Sequence, residues 1–417
     1  MAAGSSFARS PPALLADILP CGGRPLNLST DAIVFWAVVG ARVVVPLGVF
    51  RFPLPIMLAA LVIDGIDQTI FQTFTHLDLS GYQQYDKALD VYYLSLAYLA
   101  TFRNWVNRDA FDVSRFLFYY RLVGVVLFEQ TQIRAILLIF PNTFEYFFDT
   151  YEAIRTRWDP RRLARNLLIG IAAFIWIFIK LPQEWWIHVA ELDATDLIKT
   201  RIFGVSADAS WTDAVANAPW VLPVVAVVVV ALVGAAWWVV THRLPPADHS
   251  FTVDADKHQP MVAGEAIDRE RRRIAEQVFS VELLEKVVLI GLVSVIFSRM
   301  LPGADPAAID VLIGTGVLVV LNTIVSSLLV RRGDRPHGAI QQFVVTLAMN
   351  VGIVLIGGIV LGTLHGVQVE HALVFVLLLS LIVTGYDRYR PLYKARFADG
   401  PMPAPAPARA DEAAVSR

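Results

Sequence analysis

The chain has 417 residues, of which 56% are hydrophobic, and its mean hydropathy is +0.56. This composition is too apolar for a soluble protein of this size and indicates a multi-pass membrane protein. The formal net charge of −2 argues against nucleic-acid binding, and the single cysteine, Cys21, excludes an intramolecular disulfide and a cysteine-based zinc site.

Apolar runs long enough to cross a bilayer recur along the chain, because about 20 helical residues span a hydrocarbon core of roughly 30 Å. They predict an all-α, polytopic transmembrane helical bundle of about ten spans, within a range of nine to eleven. The predicted spans are 31–50, 53–77, 86–106, 113–139, 163–181, 219–241, 285–301, 309–330, 341–363 and 370–386.

Composition divides the chain further into regions of different character. A polar N-terminal bundle holds most of the ionisable residues, whereas the last four spans are chiefly aliphatic. The predicted regions are an N-terminal segment (1–30), a polar N-terminal transmembrane bundle with the candidate site (31–182), an interfacial, extracytoplasmic segment (183–218), a transmembrane helix (219–241), a cytoplasmic loop with a charged helix (242–284), an apolar four-helix transmembrane bundle (285–386), and a tail that is basic and then Pro/Ala-rich and disordered (387–417).

Basic loops indicate the orientation, since Lys and Arg are retained on the cytoplasmic side. Clusters around Arg161, Arg272 and Arg332 predict that these loops and the C-terminus are cytoplasmic, in a plasma (inner) membrane. With ten spans, the loops containing Arg51 and Arg103 would face the outside.

The segment 113–151 leaves a choice between ten and eleven helices. A turn near 129–132 would give eleven and an external N-terminus. Glu129, Gln130 and Gln132 are all acceptable in a helix, so we prefer one continuous helix and ten spans.

Two pairs of aspartates are the main functional signal. Asp64 and Asp67 share a face of the second predicted span, and Asp86 and Asp90 share a face at the start of the third. A short connection makes these helices antiparallel neighbours, so we expect the four carboxylates to converge.

Carboxylates are expensive at membrane depth and usually serve a function there. Four hard oxygen ligands suit Mg²⁺ or Mn²⁺, the cofactors that we expect. The same carboxylates could instead form internal ion pairs with Arg42, Lys87 or Arg121, or relay protons.

The spacing of these aspartates resembles that of a known family. Asp64 and Asp67 are followed by Gly81 and then by Asp86 and Asp90. The CDP-alcohol phosphotransferases, integral membrane enzymes that make phospholipids, carry Asp-x2-Asp-Gly-x2-Ala-Arg-x8-Gly-x3-Asp-x3-Asp across their second and third helices. Gly81 falls at the family's distance, and the closing aspartates arrive one residue late.

The resemblance implies that the aspartates bind metal and that Asp90, the last of them, acts as the catalytic base. Gln68, Phe71 and Gln72 stand where the family has Gly, Ala and Arg, the positions that accommodate the nucleotide. The resemblance covers about a tenth of the chain. It implies a cation site that is kept while the CDP-lipid chemistry is lost or changed.

A second polar cluster follows the fourth predicted span. Glu145, Asp149 and Glu152 have helical spacing, with aromatic residues between them. The simpler interpretation is an interfacial helix with its aromatics in lipid and its acids in water. In the alternative, the acids join Glu129 and Arg121 as the wall of a polar cavity.

Three function classes remain open. The preferred one is a cation-dependent, lipid-handling or lipid-modifying protein that uses the four aspartates, with membrane lipid as its partner. The alternatives are a secondary transporter or channel coupled to H⁺ or Na⁺, and a non-enzymatic membrane scaffold. The chain lacks a phosphate-binding loop, a nucleophile elbow and a His-Glu-x-x-His motif, so nothing supports an ATPase, an α/β-hydrolase or a zinc protease.

Overall fold

A computed structural model describes residues 30–75, 82–190, 194–257, 261–277, 279–298, 307–332, 338–361, 369–398 and 400. Residues 1–29 of the predicted N-terminal segment (1–30) and residues 401–417 of the predicted tail (387–417) lie outside these ranges. Within them the chain is helical and forms no strand. The α-helices are α1 (Thr30–Val44), α2 (Pro53–Phe74), α3 (Tyr82–Asn104), α4 (Arg108–Thr131), α5 (Ala135–Ile139), α6 (Thr143–Arg155), α7 (Arg165–Phe174), α8 (Leu181–His188), α9 (Ala194–Leu197), α10 (Trp211–Asn217), α11 (Val221–His242), α12 (Gly264–Glu276), α13 (Val281–Phe297), α14 (Ala308–Arg332), α15 (Ala339–Leu361) and α16 (Val369–Arg396).

Three of these helices continue through irregular turns. A 3₁₀ helix, Val45–Phe50, extends α1, a π-helical turn, Ile175–Lys180, joins α7 to α8, and a second π-helical turn, Ile198–Phe203, follows α9. Six described segments are then long and apolar enough to cross a membrane, as expected for a membrane protein. They are Ile33–Phe50, Pro53–Phe74, Arg165–Ile187, Val221–Val239, Ala308–Leu328 and Ala372–Arg396.

The other four predicted spans do not meet that criterion among the described residues. The span 86–106 lies in α3, which carries several charges, and 285–301 and 341–363 lie in α13 and α15, whose described apolar runs are shorter. The count of about ten spans therefore stays a prediction.

The chain reverses direction at Gln132, so the prediction of one continuous helix over 113–139 was wrong. α4 ends at Thr131, and Gln132 takes a left-handed conformation with φ of 56°. Its backbone N–H donates to the carbonyl of Phe128 (2.7 Å), and its side-chain amide donates to that of Glu129 (2.9 Å). These bonds satisfy carbonyls that the end of a helix otherwise leaves free.

Several loops and the end of α16 meet at one end of the bundle, called here the basic end (residues 51, 103–108, 155–164, 243–257 and 388–396). The carbonyl of Arg51 accepts from Ala255 (2.7 Å), and the Arg103 side chain pairs with Asp256 (2.5 Å). Arg162 pairs with Asp248 (2.6 Å). The predicted placement of Arg51 and Arg103 opposite the other basic loops was wrong, because the chain reverses at Gln132 and returns through α6 to the same end before the loop 155–164.

α16 extends beyond the predicted boundary at 386 and ends at Arg396, with Pro391 inside the helix. The buried Arg396 side chain donates to the carbonyls of Phe102 (3.3 Å), Arg103 (2.6 Å) and Trp105 (2.7 Å). A guanidinium thus caps the C-terminal end of α3, where carbonyls lack helical partners.

α3 lies at the centre of the bundle, where it packs against α2, α4, α13 and α16. Its aromatic side chains Tyr92, Tyr98 and Phe102, and Trp105 just after its end, are inaccessible to solvent. α3 carries Asp86 and Asp90 near its start. Its packing therefore fixes the position of two of the four aspartates of the candidate site.

Gly124 allows α5 to fold back onto α4. A Cβ atom at this position would overlap the Cβ and ring of Phe140, whereas one at Gly170 in α7 would have nothing within 4 Å. We expect Gly124→Ala to lower the melting temperature of the purified protein, because the overlap is with atoms close to the backbone that cannot rotate away. Gly170→Ala should leave it unchanged or raise it, since Ala is favoured over Gly in a helix by up to about 1 kcal/mol. Equal melting temperatures for the two variants would contradict the close approach.

Candidate functional site

The structure brings the four predicted aspartates together around one guanidinium, that of Arg42 in α1. Its Nη1 donates to Asp67 and to Asp86 (2.5 Å), and its Nη2 donates to Asp64 (2.5 Å) and Asp90 (2.6 Å). Arg42 and Asp67 are 4% and 1% exposed, so the network lies inside the bundle. Arg42 was one of three cations considered as partners from the sequence.

Helical geometry explains this arrangement. Asp64 and Asp67 lie about one turn apart on α2, as do Asp86 and Asp90 on α3, and the two helices run antiparallel side by side. At 1.5 Å per residue, Asp64 and Asp67 stand roughly 16 to 21 Å along α2 from its start at the basic end. The network is therefore deep within an apolar span.

One guanidinium does not neutralise four carboxylates. Arg42 and the four aspartates carry a formal charge of −3 if all are ionised, and each Nη–H of Arg42 already faces a carboxylate. Unbalanced charge at this depth is costly, so the site favours an additional cation or protons. Oxygens of Asp64, Asp67 and Asp86 lie within 4.8 Å of one another, close enough to share a metal ion.

A cavity of about 260 Å³ borders this cluster between α3, α4, α5 and the start of α6. Asp86, Asp90, Lys87 and Arg121 contribute its charged part. The remaining wall is mostly apolar and includes Val91, Leu94, Phe118, Leu122, Val125, Phe128, Leu137 and Phe144. The cavity thus has the amphiphilic lining that a lipid headgroup and the first part of its chain require.

Glu129 and Arg121, both predicted members of a polar cavity, act at this wall. Glu129 is buried and forms an ion pair with Lys87 (3.2 Å). The Lys87 ammonium also lies over the ring of Phe128, 4.5 Å from its centroid. Arg121 donates to the carbonyl of Phe140 (3.0 Å). Both basic side chains are therefore held at the cavity.

The acids of α6 lie inside the bundle, so the interpretation of α6 as an interfacial helix with acids in water was wrong. Glu145 accepts from Tyr93 (2.5 Å), and Glu152 accepts from Trp105 (2.8 Å) and pairs with Arg155 (2.7 Å). The aromatic residues between them are buried as well. A helix in which acids and aromatic residues alternate can lie in the interior when neighbouring side chains donate hydrogen bonds to the acids.

Only part of this second cluster reaches the aspartates. Glu145 connects to them through Tyr93, which is three residues after Asp90 on α3. Asp149 and Glu152 lie progressively nearer the basic end, and the Oδ1 atom of Asp149 has no hydrogen-bond partner in the part of the chain that the structure describes. Tyr93 was missed from the sequence, although its spacing from Asp90 places it on the same helical face.

Comparison with known proteins adds no relative. No protein-family model, curated protein or solved structure matches the chain. The likeness to the CDP-alcohol phosphotransferases rests on aspartate spacing, and Gly81, its other matched position, lies outside the described residues. Phe71, where that family has Ala, is buried against Phe35 with the ring centroids 5.9 Å apart.

Removing Arg42 should destabilise the fold strongly. In Arg42→Gln four carboxylates lose their shared partner, and breaking a buried ionic network costs about 3–5 kcal/mol. We expect a marked fall in melting temperature in detergent with a chelator present. Arg115→Gln is the matched control, since Arg115 is exposed and its pairing with Asp112 (3.4 Å) is a surface contact worth roughly 0–1 kcal/mol. Similar melting of the two variants would show that the Arg42 network contributes no stability.

Proposed function

We propose that this chain is a cation-dependent, lipid-handling membrane protein of the plasma membrane, with the four aspartates as its cation site. The observation that carries the proposal is the formal charge of −3 around Arg42 on the wall of an amphiphilic cavity. A structural ion pair needs only one carboxylate for each guanidinium. The three additional carboxylates are a reason to expect a further, exchangeable cation.

The oxygen positions support a divalent ion. Opposite ligands of a six-coordinate ion are separated by twice the bond length, which is about 4.2 Å for Mg²⁺ and about 4.8 Å for Ca²⁺. Oxygens of Asp64, Asp67 and Asp86 lie within 4.8 Å of one another, so their separations fall in the range found between ligands of one divalent ion. Each carboxylate has a second oxygen, so it can keep contact with Arg42 while it binds the ion.

The cavity supports an amphiphilic, anionic ligand. Lys87 and Arg121 supply positive charge beside Asp86 and Asp90, and a cation held by the carboxylates would add to it. A cavity of about 260 Å³ has room for several waters and so for a small polar headgroup. The acyl chains of a lipid would then extend beyond the cavity.

The aspartate spacing supports metal binding in a second way. Asp86 and Asp90 arrive one residue late relative to the CDP-alcohol phosphotransferases, yet both reach the same guanidinium as the opening pair. We therefore keep Asp90, which faces the cavity, as the candidate base for any lipid-modifying chemistry. Phe71 argues against binding of the nucleotide that the family uses, because this buried, bulky side chain stands where the family has a small residue.

A transporter that binds H⁺ or Na⁺ at the same carboxylates is the second candidate. The surplus of negative charge favours monovalent cations as well, and the partly exposed side chains of Asp64 and Asp90 provide a route for exchange. The choice of ion distinguishes the two functions.

The first test is cation binding. We expect Mg²⁺ or Mn²⁺ to raise the melting temperature of the wild type in detergent and to bind at least about tenfold more weakly to Asp67→Asn, because an amide oxygen replaces a carboxylate poorly in a divalent site. Asp67→Asn should itself fold normally, since Arg42 keeps three carboxylate partners. Asp112→Asn removes an exposed carboxylate of α4 and serves as the control.

The outcome can go against the proposal in two ways. A wild type stabilised by Na⁺ but by neither divalent ion would favour the transporter. A wild type stabilised by no cation, with an Asp67→Asn variant that melts much earlier, would indicate that the aspartates serve only to pair with Arg42.

We also propose that the basic end is cytoplasmic, because the loops there hold most of the arginines near the ends of spans. In a Cys21→Ser background, Arg272→Cys should resist an impermeant thiol reagent added to intact cells, and Asp208→Cys, beyond the opposite end of α11, should react. Labelling of position 272 but not of position 208 would reverse the orientation.

A further inference from the structure

A second cavity, of about 140 Å³, lies at the basic end where α12, α13, α14, α15 and α16 converge. It shares no lining residue with the cavity beside Asp86 and Asp90. From the sequence, this region is predicted to be an apolar bundle with flanking basic loops. Its charged side chains instead face inward between the helices.

Three cations and two carboxylates line this cavity. Lys286 and Arg390 are 2% and 6% exposed, and Arg271 of α12 is partly exposed. Glu282 and Asp387 are the two carboxylates, and two further acids pair with the lining cations, Glu285 with Arg390 (2.6 Å) and Asp268 with Arg271 (3.1 Å). Each cation therefore has a carboxylate partner, and an anion would bind here through donors that these pairs leave unsatisfied.

One of the two buried cations has a donor without a partner. The Lys286 ammonium lies 2.8 and 2.9 Å from the two carboxylate oxygens of Asp387 and donates to Thr323 (3.2 Å), which accounts for its three N–H groups. Arg390 pairs through Nη2 with Glu285 (2.6 Å), while its buried Nε has no hydrogen-bond partner among the described residues. An unpaired buried N–H is costly, so a ligand that accepts from it gains affinity.

The rest of the wall fits a ligand rich in acceptor oxygens. Ser326, Ser327 and Thr346 add hydroxyl groups to the wall, whereas the Thr323 hydroxyl already donates to the carbonyl of Val319 (2.8 Å). Val330 and Val345 supply apolar surface between α14 and α15. Such a wall suits a phosphate attached to an apolar chain.

We propose that this cavity binds a phosphate-bearing anion, namely the headgroup of an anionic membrane lipid. α12 brings the lipid to it, because this helix is amphipathic and carries Arg269, Arg271, Arg272 and Arg273 next to the ends of the spans. Basic helices of this kind attract anionic headgroups, and basic pockets between spans retain them. This site is independent of the cation site around Arg42.

The test compares two arginines of the same helix. Arg271 lines the cavity and Arg272 is exposed beside it, so Arg271→Gln and Arg272→Gln remove the same charge from different positions. The full chain in detergent is titrated with short-chain phosphatidylglycerol, with phosphatidylcholine of equal chain length, and with inorganic phosphate, and binding is followed by thermal stability. Ser327→Leu adds a variant that fills the cavity without changing its charge.

We expect phosphatidylglycerol to stabilise the wild type, with affinity about tenfold weaker in Arg271→Gln and unchanged in Arg272→Gln, since one charge-assisted hydrogen bond is lost only in the first. Ser327→Leu should also weaken binding. Stabilisation by inorganic phosphate as well would assign the site to phosphate in free form and in lipid. No response to either phosphate compound, equal stabilisation by phosphatidylcholine, or equal weakening in the two arginine variants would overturn the proposal.

Discussion

The guanidinium of Arg42 is the constraint on which the N-terminal half of this structure depends. It joins α1 to α2 and α3 through four carboxylates, all buried or partly buried within the bundle. Hydrogen bonds to charged groups are strong in such an environment, so the relative rotation of the three helices is closely defined. The same network is incomplete electrostatically, because four negative charges surround one positive charge.

The cluster around Arg42 and the charged lining of the second cavity differ in how far their charges are balanced. Around Arg42 the surplus is negative, and an amphiphilic cavity adjoins it. At the basic end, each cation that lines the second cavity is paired with an acid, and the buried Nε of Arg390 has no hydrogen-bond partner among the described residues. A surplus of carboxylates at one depth and an unsatisfied cationic donor at another fit the proposal of one site for a cation and another for an anionic headgroup.

The sequence predicted the convergence of the aspartates because the i, i+3 and i, i+4 spacings and a short connection leave two adjacent helices little choice. It could not select Arg42 from the three possible partners Arg42, Lys87 and Arg121, since that depends on how α1 is rotated. The break at Gln132 was missed because its residues are all acceptable in a helix, and only packing reveals the left-handed turn. The acids of α6 and the charges of α13 and α16 were misjudged for a related reason: charged residues near span ends look like flanking residues until their buried partners are known.

The most direct measurement is an experimental structure of the protein prepared with Mn²⁺, with the metal located by its anomalous scattering. The account predicts an anomalous peak within coordination distance of at least three of Asp64, Asp67, Asp86 and Asp90, with the Arg42 guanidinium moved aside from their centre. A structure without such a peak, in which Arg42 still occupies the centre of the four carboxylates, would contradict the cation site and identify the network as a purely structural one.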